Sequence, residues 1–300
     1  MSHSLTLFAN KASGSEESKQ LGLLWQEQVP SEYQGNTFFF EPGEHFDSLL
    51  LRALKDCQQN NSVLVVAGGD GTVSGVINKI AGTEQPFAVL PQGTFNFFAR
   101  NNGIPLDPVA ALKFALSAHP VPIDLAYLND RPFIVNVGLG LYPKVIAARE
   151  SHQQHTGRSS LTAILSGVWT LLSERHISRA YLEYNGQQQR LLTPLLMINH
   201  NHEQLQQLDP RFNTDLENLT VLRMSPISWI ELLKLLANGL TGNLLDEENI
   251  ECFHVDELKV DMRRSRIPIA LDGELMQMRP PLRFSIRQGH IHCLLNGNVL

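Results

Sequence analysis

Two short apolar runs, each cut off by glycine and threonine and followed at once by a helical pattern, constrain this chain more than any other feature. Ser62 to Ala67 reads SVLVVA, a β-branched stretch of the kind that forms a strand buried on both faces. It ends at Gly68-Gly69-Asp70-Gly71-Thr72, before a helical pattern from Val73 to Ile80. Phe87 to Leu90 repeats the strand signal, stops at Pro91-Gln92-Gly93-Thr94 and gives way to a helix from Asn96 to Asn101. Two earlier segments have the same order. Leu5 to Ala9 precedes the polar turn Asn10 to Gly14 and a helical pattern around Leu21, Leu24 and Trp25; Thr37 to Phe40 precedes leucines at helical spacing between His45 and Cys57. Strand and helix in alternation predict a mostly parallel, doubly wound sheet whose loops gather at the carboxyl ends of the strands.

After about residue 125 the pattern changes. Strand signals recur at Phe133 to Val137, Ala180 to Tyr184, Leu191 to Ile198, Leu219 to Met224, Glu257 to Asp261, Ile267 to Leu271 and Leu282 to Ile286, separated by turn residues. Two helices are expected among them, about Ser160 to Ser173 and Ile227 to Asn238. A chain of 300 residues is long enough for two cores. The expected class is therefore α/β plus β: a Rossmann-like nucleotide-binding domain over residues 1–127, with 287–300 as a candidate to complete it, and a β-rich sandwich over 128–286.

Charge and composition narrow the partners. A formal net charge of −6 argues against a nucleic-acid binder, which needs a basic stripe to neutralise phosphates. Cys57, Cys252 and Cys293 are widely spread with no CxxC pair, which suits a reducing cytosol. MSHSLTLFAN lacks the basic and apolar regions of a secretory signal. The longest apolar helix candidate, Leu161 to Leu172, is too short for a bilayer crossing of roughly 20 residues, so any membrane contact is expected to be peripheral.

The chemistry sits in the glycine loops. Binding a triphosphate requires backbone N–H donors converging on one concavity, and a glycine-rich turn opening a helix supplies them. Gly68 to Thr72 has that form; Thr72 can hydrogen-bond a phosphate and Asp70 can hold Mg²⁺ directly or through water. Alone, such a pentapeptide can also be a structural turn and does not decide the matter. The second glycine-threonine turn, on what should be a neighbouring strand, tips the reading to phosphate binding. Asp272-Gly273 by itself reads as a hairpin turn after Ile267 to Leu271.

GGDGT followed by P-x-GT-x-N-x-FA resembles the diacylglycerol kinase catalytic domain family, the bacterial soluble lipid kinases related to sphingosine and ceramide kinases. The likeness extends in order through Asn10 to Gly14, Val121 to Asp124, Gly138 to Tyr142 and Asp272-Gly273-Glu274. The resemblance implies that Asn10, Ser13 and Gly14 line the nucleotide. It implies that Gly68, Gly69, Asp70, Gly71, Thr72, Val73 and Ser74 wrap its phosphates, and that Gly93, Thr94 and Asn96 approach it from the second loop. Glu274 or Asp272 would take the proton from a lipid hydroxyl, and a structural magnesium site of the family falls nearest Asp215, in a stretch that is equally a solvated turn.

The chain departs from the family at Phe97, where aspartate is common, and at Ser74-Gly75, where asparagine-glutamate is common. His200 and His202 form an HxH pair without further ligands, which we read as a polar turn rather than a zinc site. Leu161, Ile164, Leu165, Val168, Trp169, Leu171 and Leu172 make an apolar stripe suited first to a core and second to a membrane surface, with Lys144, Arg149 and Arg158 upstream in sequence.

The expected activity is an ATP- and Mg²⁺-dependent phosphotransferase acting on a hydroxyl of diacylglycerol or a similar lipid, cytoplasmic and peripheral at the inner membrane face. Its partner is a lipid at a membrane surface, not nucleic acid, and a homodimer is an open option. The rival readings are a soluble-metabolite kinase of the NAD kinase type, a nucleotide-binding regulator without turnover, and a lipid carrier, which would have no use for two phosphate loops.

Overall fold

The computed structural model describes residues 4–10, 15–41, 45–147, 178–210, 218–226 and 249–296. The chain forms two compact units, Met1–Leu125 with Arg287–Leu300, and Ala126–Ile286.

The first unit is built on four parallel strands, β1 (Leu5–Asn10), β2 (Gln34–Phe40), β3 (Val63–Gly68) and β4 (Pro86–Pro91), in the order β2-β1-β3-β4. The end of the chain's last strand joins them parallel to β4 through His292 and Cys293. All six residues of β3 are buried, as its run of branched apolar side chains requires in a strand flanked on both sides. The edge strand β2 instead exposes Asn36 and Thr37.

Five helices accompany this sheet: α1 (Ser15–Gln28), α2 (Phe46–Asn60), α3 (Asp70–Ile80), α4 (Phe97–Asn101) and α5 (Pro108–Ser117). In α2, Leu50, Ala53 and Cys57 fall on one face at helical spacing and are buried. The Phe46 ring meets Phe8 and Phe40 edge-on, at centroid distances of 5.4 and 5.2 Å. Asp107 caps α5, its carboxylate accepting from the Ala110 amide at 2.8 Å with Pro108 at the first helical position.

The second unit is a β-sandwich. Its strands include the end of β5 (His119–Leu128), β6 (Arg131–Phe133), β7 (Asn136–Gly140), β8 (Ser178–Tyr184), β9 (Gln187–Thr193) and β10 (Leu195–Asn199). They continue with β11 (Leu219–Met224), β12 (Ile250–Val255), β13 (Glu257–Asp261), β14 (Ile267–Leu271), β15 (Glu274–Met278) and the start of β16 (Leu282–Leu295). A short helix, α6 (His202–Leu208), follows β10. One sheet runs β12-β11-β10-β7-β14-β15 with every pair antiparallel. The other runs β9-β8-β13 and on to the first residues of β16, also antiparallel. Val137, Leu139, Ile198, Val221 and Ile269 from the first sheet share one core with Ala180, Leu182, Leu258, Val260 and Phe284 from the second.

The parallel first unit and antiparallel second unit are the class that the pattern predicts; the element ends differ in instructive places. The stretch Leu191 to Ile198, read as one strand, is two. Pro194, which has no N–H to give a ladder, separates β9 from β10, and these belong to different sheets. Phe133 to Val137 is likewise divided by a bend at Ile134 and Val135. Helix α3 begins at Asp70, so the motif's Asp-Gly-Thr forms the first helical turn instead of a loop ahead of it. Among the described residues no helix is long and apolar enough to cross a membrane. Ser13, Gly14, Asp215, Arg149, Arg158 and the two expected helices over 160–173 and 227–238 lie outside the described residues.

Candidate functional site

In the first unit the two glycine loops meet as one assembly. Gly69 is the N-cap residue of α3 and contributes no side chain to cap it, so the amides of the first turn have no intrahelical acceptor. An α-helix start of this kind carries partial positive charge and presents N–H donors to an anion. Gly71 is exposed, and a Cβ placed there would have nothing within 4 Å, which leaves the space beside the helix start open.

The other glycines answer to the protein itself. A Cβ on Gly68 would lie 2.6 Å from Cβ of Thr72, and one on Gly93 would lie 2.8 Å from Cα of Gly69. Backbone thus touches backbone where the loops cross. The Gln92 amide donates to the Gly68 carbonyl at 3.0 Å, and the Asp70 carboxylate accepts from the Phe97 and Phe98 amides, each at 3.1 Å. Asp70 therefore caps α4 from across the assembly. The Asn96 side chain closes its own loop, accepting from the Gly93 amide and donating to the Gly93 carbonyl, both at 2.8 Å, from a left-handed backbone at φ 52°.

These bonds sort the residues expected to bind nucleotide. Gly69, Asp70 and Gly71 stand at the partly open helix start, Thr94 is exposed on the second loop, and Asn10 is half-buried at the end of β1. Val73 is buried in the core, and Thr72 and Ser74 are nearly so. Asn96 has its amide engaged by Gly93, so its contribution is to the shape of the loop. Replacing Gly93 with alanine should drive Cβ into the Gly69 backbone, at a cost of about 1–3 kcal/mol. A lowered melting temperature together with weakened ATP binding is the expected result; a variant that melts and binds like the parent would show that the loops do not depend on this contact.

Asp70 has the chemistry for a magnesium ion carried in with a triphosphate. Each of its oxygens accepts one N–H in the structure and keeps a further lone pair, and Mg²⁺ in kinases is held by one or two carboxylates plus substrate phosphates. Among the described residues no three His, Cys, Asp or Glu side chains gather into a metal cage.

The second unit carries the carboxylates of the Asp272-Gly273-Glu274 segment. Asp272 at φ 48° and Gly273 at φ 89° make a two-residue hairpin between β14 and β15, the backbone that Asp-Gly favours. Beyond that turn, the Asp272 carboxylate accepts from the Ile134, Val135 and Asn136 amides at 2.9, 2.8 and 3.2 Å. These three residues form the bend and the first residue of β7. Their carbonyls are satisfied as well. Ile134 accepts from the Asn201 side chain at 3.2 Å, Val135 from the His200 amide at 3.2 Å and Asn136 from the Asp272 amide at 2.9 Å. Every backbone polar group of the bend thus has a protein partner.

Sequence reading missed this network. Asn201, buried at the centre of the Asn-His-Asn-His run, accepts from the Gln204 amide at 3.0 Å and caps α6, while Asn136 and Asn199 both donate to the Gln204 side-chain oxygen at 2.6 and 2.5 Å. The only available signal was the unusual density of asparagine around the two histidines. Glu274, the first residue of β15, is exposed and has no hydrogen-bond or ionic partner among the described residues. Asp272 is committed to the bend, and Glu274 is the free carboxylate. Lys144, one of the basic residues considered for lipid headgroups, is half-buried, and burial together with Arg264 lowers its pKa.

Residues 4–128 match the family model described as the diacylglycerol kinase catalytic domain. A protein of Klebsiella pneumoniae (strain 342) named "Probable lipid kinase YegS-like" is 31% identical over 113 residues, 37% of this chain and 38% of that protein. The stretch shared with such relatives is thus well under half of their length. The diacylglycerol kinase of Bacillus subtilis (strain 168) is 26% identical over 240 residues, 78% of this chain and 77% of that protein. In fold, the chain superposes on a crystal structure of a diacylglycerol kinase from Bacillus anthracis str. Sterne with a TM-score of 0.67 at 17% identity, covering 99% of this chain and 98% of the other. Over residues 4–128, the chain is thus similar to the diacylglycerol kinase catalytic domain family.

Proposed function

We propose that the protein transfers the γ-phosphoryl group of ATP to a hydroxyl of diacylglycerol or a similar lipid. The observation that carries this reading is the uncapped start of α3, open at Gly71 and braced by the second glycine loop, which is built to receive a phosphate chain. The names of its relatives support the same class of chemistry.

In this reading the amides of α3 hold the phosphates, Thr94 approaches them from the second loop, and Asp70 holds the accompanying Mg²⁺, which neutralises charge on the phosphates. The lipid hydroxyl oxygen bonds to the γ-phosphorus as the bond to the β–γ bridging oxygen breaks, ADP leaves, and the hydroxyl proton passes to the Glu274 carboxylate. The reaction would take place at the cytoplasmic face of a membrane, where such a lipid resides.

The test is incubation of the purified protein with γ-labelled ATP, Mg²⁺ and mixed micelles carrying diacylglycerol, monoacylglycerol, ceramide or sphingosine in turn. Label appearing in one lipid class, and lost on chelation of magnesium, is the expected result. ATP binding without label in any lipid would overturn the lipid-kinase reading and leave a nucleotide-binding regulator.

A further inference from the structure

Arginines gather at one end of the second unit without carboxylates to match them. Strand β13 ends at Asp261 in one sheet and β14 begins at Ile267 in the other, so residues 262–266 cross the end of the sandwich. Met262 and Ile267 are buried in the shared core and pin the crossing at both ends, and the Arg264 amide donates to the Met262 carbonyl at 2.6 Å. Between these anchors Arg263, Arg264, Ser265 and Arg266 are all exposed. Arg279 is exposed beside them: it directly follows β15, whose last residue Met278 pairs with Ile267, so Arg266 and Arg279 leave adjoining strand ends. On the other sheet the Arg263 guanidinium lies 5.6 Å from the centroid of the Tyr181 ring. There β8 and β9 set the exposed Arg190 opposite Tyr181 and the exposed Leu192 opposite the exposed Arg179.

Among the described residues, Arg179, Arg190, Arg264, Arg266 and Arg279 make no side-chain hydrogen bond or ion pair, and Arg263 has only the Tyr181 ring. Of the carboxylates on these strand ends, Glu251 is held by Arg223 at 2.8 Å and Asp261 accepts from none of the six. Burial lowers the pKa of Lys144, and the charge of Arg264 lowers it further, so the field at this end is positive. Yet acids outnumber bases in the chain by 30 to 24. Like charges set together repel and cost folding free energy, which an anion held against them relieves. Spread along a turn and the ends of two sheets, these guanidiniums suit a plane of phosphates better than a single one, and each matches phosphate oxygens with its fork of donors. Leu192, 47% exposed among them, suits the apolar boundary just beneath such a plane. We infer that the arginine turn over residues 263–266, with Arg179, Arg190 and Arg279, is a docking surface for an anionic phospholipid bilayer. The inference rests on the reading that the acceptor is a lipid, but the contact itself is binding and needs no turnover. The Asp272-Gly273 hairpin is at the opposite end of β14, so the arginines can be changed without touching Glu274.

The experiment is co-sedimentation of the full chain, without ATP, with vesicles of phosphatidylcholine alone and with a minor share of phosphatidylglycerol, in low and in high salt. The parent is compared with Arg264→Gln/Arg266→Gln/Arg279→Gln and with lysine at the same three positions. Each basic residue removed near an anionic surface should cost about fivefold in partitioning, so the glutamine variant should lose about 100-fold. The lysine variant should bind within a few-fold of the parent, and high salt should weaken binding of both. With like charges removed, the glutamine variant should melt no lower than the parent. A parent that binds neutral and anionic vesicles alike, or a glutamine variant that binds as well as the parent, would overturn the inference. So would a glutamine variant that melts well below the parent, because the arginines would then serve the fold. Preference of the parent for polyglutamate or a single-stranded oligonucleotide over the anionic vesicles would assign the surface to another partner and overturn it too. If no lipid is ever phosphorylated yet vesicle binding depends on the three arginines, the docking surface stands and the kinase reading fails. If a lipid in neutral micelles is phosphorylated while the glutamine variant binds anionic vesicles like the parent, the kinase reading stands and the docking surface fails.

Discussion

Substituting glutamine for Glu274 should lower lipid phosphorylation by about 10²–10⁴-fold, the usual contribution of a positioned general base, with the melting temperature unchanged. The side chain is exposed at the start of β15, opposite Leu271 in the hairpin register, and makes no hydrogen bond or ion pair among the described residues. Glutamine keeps its shape and removes only the ability to accept a proton. Folding should not register the change, and neither should ATP binding, whose proposed contacts lie in the glycine loops of the first unit. Steady-state turnover, calorimetric ATP titration and a thermal melt on the same preparation separate these effects. Turnover within about tenfold of the parent would remove Glu274 from the role of base.

Asp272→Ala should instead damage stability and turnover together. Hydrogen bonds to a charged acceptor contribute roughly 1.5–3 kcal/mol each, and this carboxylate receives three amides that no other described group is placed to accept. Because such terms are not additive, a loss of about 3–5 kcal/mol is expected, or roughly 10 °C in melting temperature for a chain of this size. Alanine adds a second penalty, since position 272 has φ 48°, a conformation that aspartate and asparagine tolerate better. Asp272→Asn keeps that tolerance and one acceptor oxygen, so its melting temperature should fall between the other two. If Asp272→Ala melted like the parent yet lost turnover, the carboxylate would be a reacting group and the hydrogen bonds to the bend would be incidental.

The two variants separate roles that the short segment Asp-Gly-Glu leaves tangled. In sequence the two carboxylates are nearly equivalent, two residues apart across a glycine. The structure distinguishes them by their partners alone: one is saturated by amides, the other faces solvent. That distinction depends on a bend more than 130 positions away along the chain, which no local pattern announces.

Much of the fold was legible because its signals are local. The branched run Val63 to Val66 can be buried on both faces only as a central strand, and its glycine-rich exit into a helix can only be a strand-loop-helix unit. The alternation of such units carries the parallel sheet with it, and the turn-separated strands after residue 125 carry the antiparallel half. At Phe97, where the family commonly has aspartate, the backbone amide donates to Asp70, a contact that does not depend on the side chain above it.

What the sequence determined by itself, then, is which segments become strands and helices and where the glycine loops fall between them, since periodicity and glycine placement act over a few residues. The tertiary structure alone decided that Pro194 divides one apolar run between two sheets, that the glycines at 69 and 93 are needed by each other's backbone, and that Asp70 caps a helix 27 residues away. It also decided that Asn201 and Asp272 close the hydrogen bonds of the bend at Ile134 to Asn136. The reason is the same in each case: a buried amide or a crowded Cβ must be satisfied by whatever the fold brings near, and sequence distance carries no record of that neighbour.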